Sequence, residues 1–202
     1  MNEPVYTIGH SNQPLDDFLH ALSAHGITAV ADVRSYPYSQ MNPQFDRESL
    51  SSELKARNIA YVFLGKELGA RSNDPLCYED GKVQFDRLAK TEPFREGLER
   101  VLQGMERYRV ALMCAEKEPL ACHRTILVSR QLVERGLHVR HILSSTQSEE
   151  HSDTMARLLS DLDLDHANLF LNQTDLLAEA YRRQASRIAY QREDTTTLAV
   201  QP

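Results

Sequence analysis

The sequence predicts an α/β fold: a mostly parallel, Rossmann-like sheet of about five strands with helices on both faces, followed by a C-terminal helical extension. Short apolar runs alternate with helix-like segments, which implies right-handed βαβ crossovers and parallel strands. The strand runs are almost continuously apolar, as a sheet covered on both faces requires. We therefore predict an α/β domain over residues 1–145. Residues 146–202 form an acidic helical extension, either packed on that domain or swapped from it.

Each predicted element has its own local signal. The strands are short, nearly continuous apolar runs at 5–8, 27–33, 59–64, 110–113 and 139–143. Apolar residues at helical spacing and turn-forming residues at the ends predict the helices. The helices of the domain are 16–24, 46–57, 85–89, 93–107 and 125–135. Two amphipathic helices, 155–162 and 176–190, form the extension; residues 144–152 are predicted as a loop and 195–202 as a frayed end.

Composition and charge narrow the classes of function. The 202 residues are 41% hydrophobic and 26% charged, which is typical of a globular chain. The net charge is −6, and after residue 143 there are 10 acidic and 5 basic residues, so nucleic-acid binding is not favoured. Charges interrupt every apolar run before the roughly 20 residues of a membrane span, and the N-terminus lacks signal-peptide features. Three cysteines argue against a disulfide framework. We therefore expect a cytoplasmic protein without membrane association.

Polar motifs follow three of the predicted strands. They are Gly9-His10-Ser11, Asp32-Val33-Arg34 and Cys114-Ala115-Glu116. Because ligands bind beyond the carboxyl ends of parallel strands, we expect the three motifs to converge on one rim of the sheet. His10 is a candidate general acid or base, with a backbone-bonded turn histidine as the alternative.

The second motif suits substrate binding. Asp32 and Arg34 share a face if the strand continues that far, either as substrate contacts or as a structural salt bridge. Tyr36 and Ser39 lie in a rigid aromatic loop able to wall a pocket. Arg34 is expected to hold an anionic group, with Asp32, Tyr36, Ser39 and Ser11 as further contacts. Ser11 is alternatively the cap of a turn.

The densest chemical cluster extends from Cys114 to Arg124. A helix is predicted to begin near Cys122, so that its backbone N–H groups would point at a bound anion. Cationic neighbours favour the thiolate of a cysteine in such a place, and Arg124 is expected to clamp the anion. The predicted catalytic residues are Cys114, Cys122, His123, His10 and Glu116. Both cysteines are alternatively buried structural thiols.

A metal site and a cofactor are not predicted. The spacing Cys114-x7-Cys122-His123 differs from the tight Cys-x2–4-Cys knuckles of structural zinc, and two adjacent ligands are awkward for one ion. A redox pair or a metal clip made by the two cysteines nevertheless remains an alternative. Gly65 and Gly69 predict a loop that approaches another backbone closely rather than a phosphate-binding loop.

Taken in order, these motifs resemble the domain-of-unknown-function family 488. The resemblance rests on the three strand-end motifs, Leu68-Gly69 and Cys122-His123-Arg124, and it covers about residues 5–145. Its most specific element is the Cys-x7-Cys-His-Arg pattern. The resemblance implies the α/β fold and groups the polar rim residues into one site, but it supplies no reaction.

The motifs are consistent with two classes of function. The favoured hypothesis is a thiol-dependent enzyme, a Cys/His-dependent hydrolase or transferase, acting on a phosphate-bearing or nucleotide-like small anionic substrate. The alternative is a non-catalytic nucleotide or nucleic-acid binding module that uses the same rim. A homodimer formed through the C-terminal helices is left open by the sequence.

Overall fold

A six-stranded sheet organises the chain. The computed structural model describes residues 3–164 and 172–192. The sheet strands are β1 (Val5–Gly9), β2 (Ala29–Asp32), β3 (Ala60–Phe63), β6 (Val110–Cys114), β7 (Val139–Ile142) and β8 (Ser148–Glu150), and β4 (Tyr78–Glu79) pairs with β5 (Lys82–Val83) as a separate hairpin. The order across the sheet is β3-β2-β6-β1-β7-β8, with every pair parallel except β7 and β8.

The helices lie on both faces of this sheet, which confirms the predicted fold class. They are α1 (Leu15–Ala24), α2 (Arg47–Ala56), α3 (Gly65–Leu68), α4 (Phe85–Leu88), α5 (Glu92–Met105), α6 (Arg130–Glu134), α7 (His151–Asp161) and α8 (Gln173–Ile188). Phe18 of α1 and Leu50 of α2 pack on one face, while Leu98 of α5 packs on the other. Leu158 of α7 and Tyr181 of α8 belong to that second core, so both C-terminal helices bury side chains against the sheet.

The structure corrects two details of the sequence-based prediction. Residues 148–150 form an antiparallel edge strand where a loop was predicted. They read Ser-Glu-Glu, a charged edge that shows no apolar alternation, so the pattern gives no strand signal. The predicted helix at 125–135 is a π-helical turn over Arg124–Ser129 followed by α6. Residues 195–202 lie outside the described residues.

The topology places the three polar motifs side by side. β2, β6 and β1 are parallel neighbours, so their carboxyl ends reach the same edge of the sheet. Backbone hydrogen bonds continue past the strand ends: His10 N–H donates to the Cys114 carbonyl at 2.9 Å, and Val33 N–H donates to the Met113 carbonyl at 3.0 Å. The rim is therefore an extension of the sheet, held by its own hydrogen bonds.

In the described part of the chain, none of the helices has both the length and the apolarity to cross a membrane.

Candidate active site

The two cysteines, one carboxylate and one imidazole form a compact cluster at the rim. Glu116 Oε2 lies 2.8 Å from Cys122 Sγ and 3.1 Å from Cys114 Sγ. The Nδ1 atom of His123 is 3.7 Å from Cys114 Sγ and 3.9 Å from Cys122 Sγ. Cys114, Cys122 and His123 are buried, whereas Glu116 is exposed. We call Cys114, Glu116, Cys122 and His123 the thiol cluster.

Local backbone geometry aims the adjacent residues Cys122 and His123 at the same point. Cys122 is extended, with φ −130° and ψ 139°, while His123 is helical, with φ −61° and ψ −26°. The His123 ring is then fixed from behind, because its Nε2–H donates to the Val33 carbonyl at 3.0 Å. A carbonyl only accepts, so Nε2 carries the proton and, in the neutral ring, Nδ1 offers its lone pair to the sulfurs.

Arg124 braces the loop beneath the cluster. It is fully buried, and it donates to the carbonyls of Glu116 at 2.6 Å and Lys117 at 3.1 Å and to Thr7 Oγ1 at 3.3 Å. Its backbone N–H points at Cys122 Sγ, 3.4 Å away. The guanidinium therefore binds protein carbonyls, which differs from the ligand-clamping position expected from the sequence.

The four groups of the cluster perturb one another's ionisation. Burial, followed by the hydrogen bond with Cys122, raises the pKa of the Cys114 thiol well above its usual range. Burial opposes ionisation of Cys122 as well, but the hydrogen bond from Cys114 and the positive charges of Arg124 and His123 outweigh it and lower its pKa. Loss of hydration at the carboxyl group, where it meets the buried sulfurs, and the Cys122 charge raise the pKa of Glu116. For His123, burial is outweighed by its contacts with Cys122, which raise the pKa. Of the two thiols, Cys122 is thus the more easily ionised, and it lies beside an imidazole whose pKa is raised.

Arg34 is held in a buried network next to the cluster. Its Nε and one terminal nitrogen donate to the two oxygens of Asp32 at 2.9 and 2.6 Å, and the second of these donors also reaches the Phe45 carbonyl at 2.9 Å. Tyr61 donates its hydroxyl to Asp32 at 2.7 Å. Both oxygens of Asp32 are thus engaged by the protein, as in the salt-bridge alternative. The other terminal nitrogen of Arg34 contacts His10 through one N–H. The second N–H of this nitrogen has no partner among the described residues.

His10 faces Arg34 rather than the cysteines. Its Nδ1–H donates to the Ser11 carbonyl at 2.8 Å, so its Nε2 accepts from Arg34 at 3.2 Å. The ring stacks on Phe45 with a centroid separation of 4.4 Å. Burial, together with the Arg34 charge, lowers the pKa of His10 to about 4 despite the Ser11 hydrogen bond. His10 is therefore neutral near pH 7 and orients Arg34.

Two cavities open on the rim, one on each side of Arg34, Tyr36 and Glu116. The first, of about 350 Å³, is lined by His10, Ser11, Arg34, Tyr36, Tyr38, Ser39, Asn42, Ala115 and Glu116. The second, of about 270 Å³, is bordered by Cys114 and His123. Ser11, Tyr36 and Ser39 thus line a cavity, whereas Cys122 lines neither cavity in the described structure and lies behind Glu116.

Sequence reasoning missed one cation at this site. Arg71 lines the second cavity and stacks over the Tyr190 ring, 4.3 Å from its centroid. Its backbone N–H donates to Ser35 Oγ at 3.1 Å. A β-carbon on Gly69 would collide with this Ser35, which confirms the close approach predicted for that loop. No motif in the sequence singles out Arg71, because its partner Tyr190 lies far along the chain.

A buried chain of hydrogen bonds leads away from Arg124. Thr7 Oγ1 lies 2.8 Å from His141 Nδ1, His141 Nε2 lies 3.0 Å from His151 Nδ1, and His151 Nε2 lies 2.7 Å from the Tyr181 hydroxyl. Arg124 donates to Thr7 Oγ1, and this hydroxyl has both a donor and a second lone pair for His141 Nδ1. Whichever end of this hydrogen-bonded series donates, a neutral imidazole accepts at one ring nitrogen and donates at the other, which matches the neutral form that burial favours.

These histidines predict a loss of stability in weak acid. Burial lowers the pKa of His151 to about 4 and that of His141 well below its usual value. The unfolded chain therefore binds protons first as the pH falls below about 6.5. We expect the unfolding free energy to be constant above that pH and then to fall by about 1.4 kcal/mol per pH unit for each such histidine.

Urea unfolding between pH 7.5 and 4.5 measures this dependence. His151→Gln should reduce the slope, and His20→Gln, a change at an exposed histidine of α1, should leave it unchanged. If the unfolding free energy depends on pH with the same slope in His151→Gln and in the wild type, the buried histidines do not govern the acid sensitivity.

Comparison with known proteins finds a family model that matches more than half of the chain. The family model described as "Domain of unknown function DUF488" matches residues 14–131. The matched region begins after His10 and includes Asp32, Arg34, the thiol cluster and Arg124. No curated protein and no solved structure matches the chain.

Proposed function

Since the chain belongs to the DUF488 family, whose description gives no reaction, we propose its function from the geometry of the rim. The protein is a thiol-dependent enzyme, a hydrolase or transferase, that acts on a small anionic substrate. The observation that carries this proposal is the convergence of two thiols, a carboxylate and an imidazole within 4.8 Å of one another beside a cavity. A structural core needs no such set of groups, and chemically active side chains gathered in a cleft are typical of active sites.

The cations around the second cavity support an anionic substrate. Arg34 and Arg71 both line it. Arg34 is already fixed by Asp32 and retains one N–H for a ligand, so a phosphate or carboxylate oxygen is held without reordering the side chain. Tyr36, which is 67% exposed, walls both cavities and offers an aromatic face to a nucleotide-like substrate.

Within this proposal the rim residues divide into two groups. A thiolate can act as a nucleophile or bind a metal ion. We therefore assign the reacting groups to the thiol cluster. Asp32 and His10 hold Arg34 in place, and Arg124 holds the Glu116 loop. Ser11 and Ser39 line the first cavity and are proposed to contact the part of the substrate remote from the sulfurs.

Replacement of the cluster cysteines tests the proposal. Cys122→Ser and Cys114→Ser are each expected to lower turnover of a chromogenic phosphate monoester, or of a thioester with an anionic tail, by at least about 100-fold. Cys77→Ser is the matched control, because Cys77 is equally buried but lies in the turn Pro75–Cys77. Initial rates, with folding checked by circular dichroism, provide the comparison.

Two outcomes would contradict enzymatic function. Turnover that is equal in the wild type and both cluster variants would show that the thiols take no part. A wild type that binds a nucleoside monophosphate but turns over none of the probes, with the same affinity in Cys122→Ser, would identify the rim as a non-catalytic binding module.

A further inference from the structure

We infer that the thiol cluster is a binding site for one divalent transition metal ion of the zinc type. The ligand atoms are Cys114 Sγ, Cys122 Sγ, His123 Nδ1 and a carboxylate oxygen of Glu116, all within 4.8 Å of one another. The ion would be the cofactor of the proposed enzyme. Binding of the ion does not depend on the proposed function, but its part in catalysis does.

The separations between these atoms suit a tetrahedral ion. Zinc lies about 2.3 Å from sulfur and about 2.0–2.2 Å from nitrogen or oxygen, so the donor atoms around it are about 3.3–3.8 Å apart. The distances from His123 Nδ1 to the two sulfurs, 3.7 and 3.9 Å, are close to this range. Glu116 Oε2 is nearer to the sulfurs, at 2.8 and 3.1 Å. Because Glu116 is exposed, its side chain can retreat by the small distance that an ion requires.

The surroundings of the cluster are those of a built metal site. A metal-bound histidine commonly donates its remote N–H to a carbonyl, as His123 does to Val33. The Arg124 backbone N–H points at Cys122 Sγ, and its guanidinium fixes the Glu116 carbonyl. These contacts are present around the four donors without an ion, so the site is organised by the fold.

The donor set selects the class of metal. Two thiolates and an imidazole favour zinc and similar transition metals, whereas magnesium and calcium take oxygen ligands. Three of the ligands are buried, while Glu116 borders both cavities. Glu116 is thus the ligand that an anionic substrate can displace, which gives the three-protein-ligand arrangement of catalytic zinc.

The structure removes one premise of the sequence argument against a metal. Adjacent ligands were treated as awkward, yet the change from extended Cys122 to helical His123 brings Sγ and Nδ1 within 3.9 Å of each other. The other two ligands lie at the end of β6. Cys114 is the last residue of this strand, eight residues before Cys122, and Glu116 follows Cys114 by two residues. This is a site assembled by a strand end and a helix start, outside the knuckle pattern.

Zinc binding by the full-length chain tests the inference without any substrate. Protein kept reduced by a phosphine is stripped with a chelator, dialysed against zinc with excess magnesium, desalted and analysed for metal per chain. We expect one zinc in the wild type and in Cys77→Ser. Loss of a residue that only hydrogen-bonds to a metal ligand weakens metal binding roughly 10–100-fold. Cys122→Ser and His123→Asn remove a ligand itself, so each should raise the dissociation constant for zinc by more than that. Glu116→Gln should retain the ion with a smaller loss of affinity.

The contrary results are equally defined. A wild type that retains no zinc, or a Cys122→Ser variant that binds zinc as tightly as the wild type, overturns the inference. If a cluster variant fails to fold, the zinc content of the wild type and of Cys77→Ser still tests the inference. Less than one zinc per chain in either protein overturns it. Zinc that binds without any turnover would refute the proposed function alone. Full turnover by chelated, zinc-free protein would refute the metal's role while leaving the thiol-dependent enzyme intact.

Discussion

Asp32→Asn is expected to destabilise the protein by about 3–5 kcal/mol, the cost of leaving a buried charge without its partner. Arg34 and Asp32 are 5% and 0% exposed and are joined by two hydrogen bonds, so no water replaces the lost carboxylate charge. Tyr61 also donates to this carboxylate. The substitution preserves shape, so its effect comes from the lost charge and from an amide NH2 group that faces donors where a carboxylate oxygen accepted.

A surface pair supplies the matched comparison. Asp16, which is 91% exposed, pairs with Arg57 at 3.3 Å, and Asp16→Asn should cost no more than about 1 kcal/mol. Urea denaturation of both variants at pH 7 gives the two free energies. Similar losses in the two variants would mean that Arg34 is solvated, and it would then be a poor candidate for a preset anion contact.

Gly9→Ala is expected to abolish the site even where the fold survives. A β-carbon at Gly9 would overlap the Glu116 carbonyl oxygen and would lie 2.7 Å from the carbonyl carbon and 3.0 Å from Lys117 Cα. All of these are backbone atoms, and the Glu116 carbonyl also accepts a hydrogen bond from Arg124, so the loop is held in place. We expect a loss of stability of about 1–3 kcal/mol or more and displacement of Glu116 from the cluster.

Gly104→Ala provides the control for this substitution. Gly104 lies within α5, where an added β-carbon meets only Val110 Cγ2 at 3.7 Å, so alanine is accommodated and favours the helix. Thermal melting and zinc affinity of the two variants separate crowding at the rim from a general effect of adding a methyl group. Unchanged zinc affinity in Gly9→Ala would contradict the tight contact between β1 and the Glu116 loop.

Local patterns were sufficient to predict the sheet and the grouping of motifs at its edge. Continuous apolar runs such as Val110–Cys114 mark buried parallel strands, and parallel strands must end at one rim. The edge strand Ser148–Glu150 was missed because an exposed edge carries charge instead of alternation.

The roles of individual side chains depend on contacts that sequence spacing does not encode. Arg124 could be recognised as a cation beside Cys122, but only the fold shows that the carbonyls of Glu116 and Lys117 consume its donors. His10 similarly meets Arg34, 24 residues away, through the pairing of strand ends. Position along the chain identified the residues of the rim, and packing decided what each of them binds.

The central claim is that Cys114, Cys122, His123 and Glu116 form one tetrahedral centre, and the absorption spectrum of the cobalt-loaded protein tests it most directly. Co²⁺ replaces Zn²⁺ in such sites and reports both geometry and sulfur ligation. We predict intense visible bands of tetrahedral cobalt and a near-ultraviolet sulfur-to-cobalt band that weakens in Cys114→Ser and Cys122→Ser but not in Cys77→Ser. If the cobalt-loaded wild type shows only weak octahedral bands and no sulfur-to-cobalt band, the four residues do not form a tetrahedral centre.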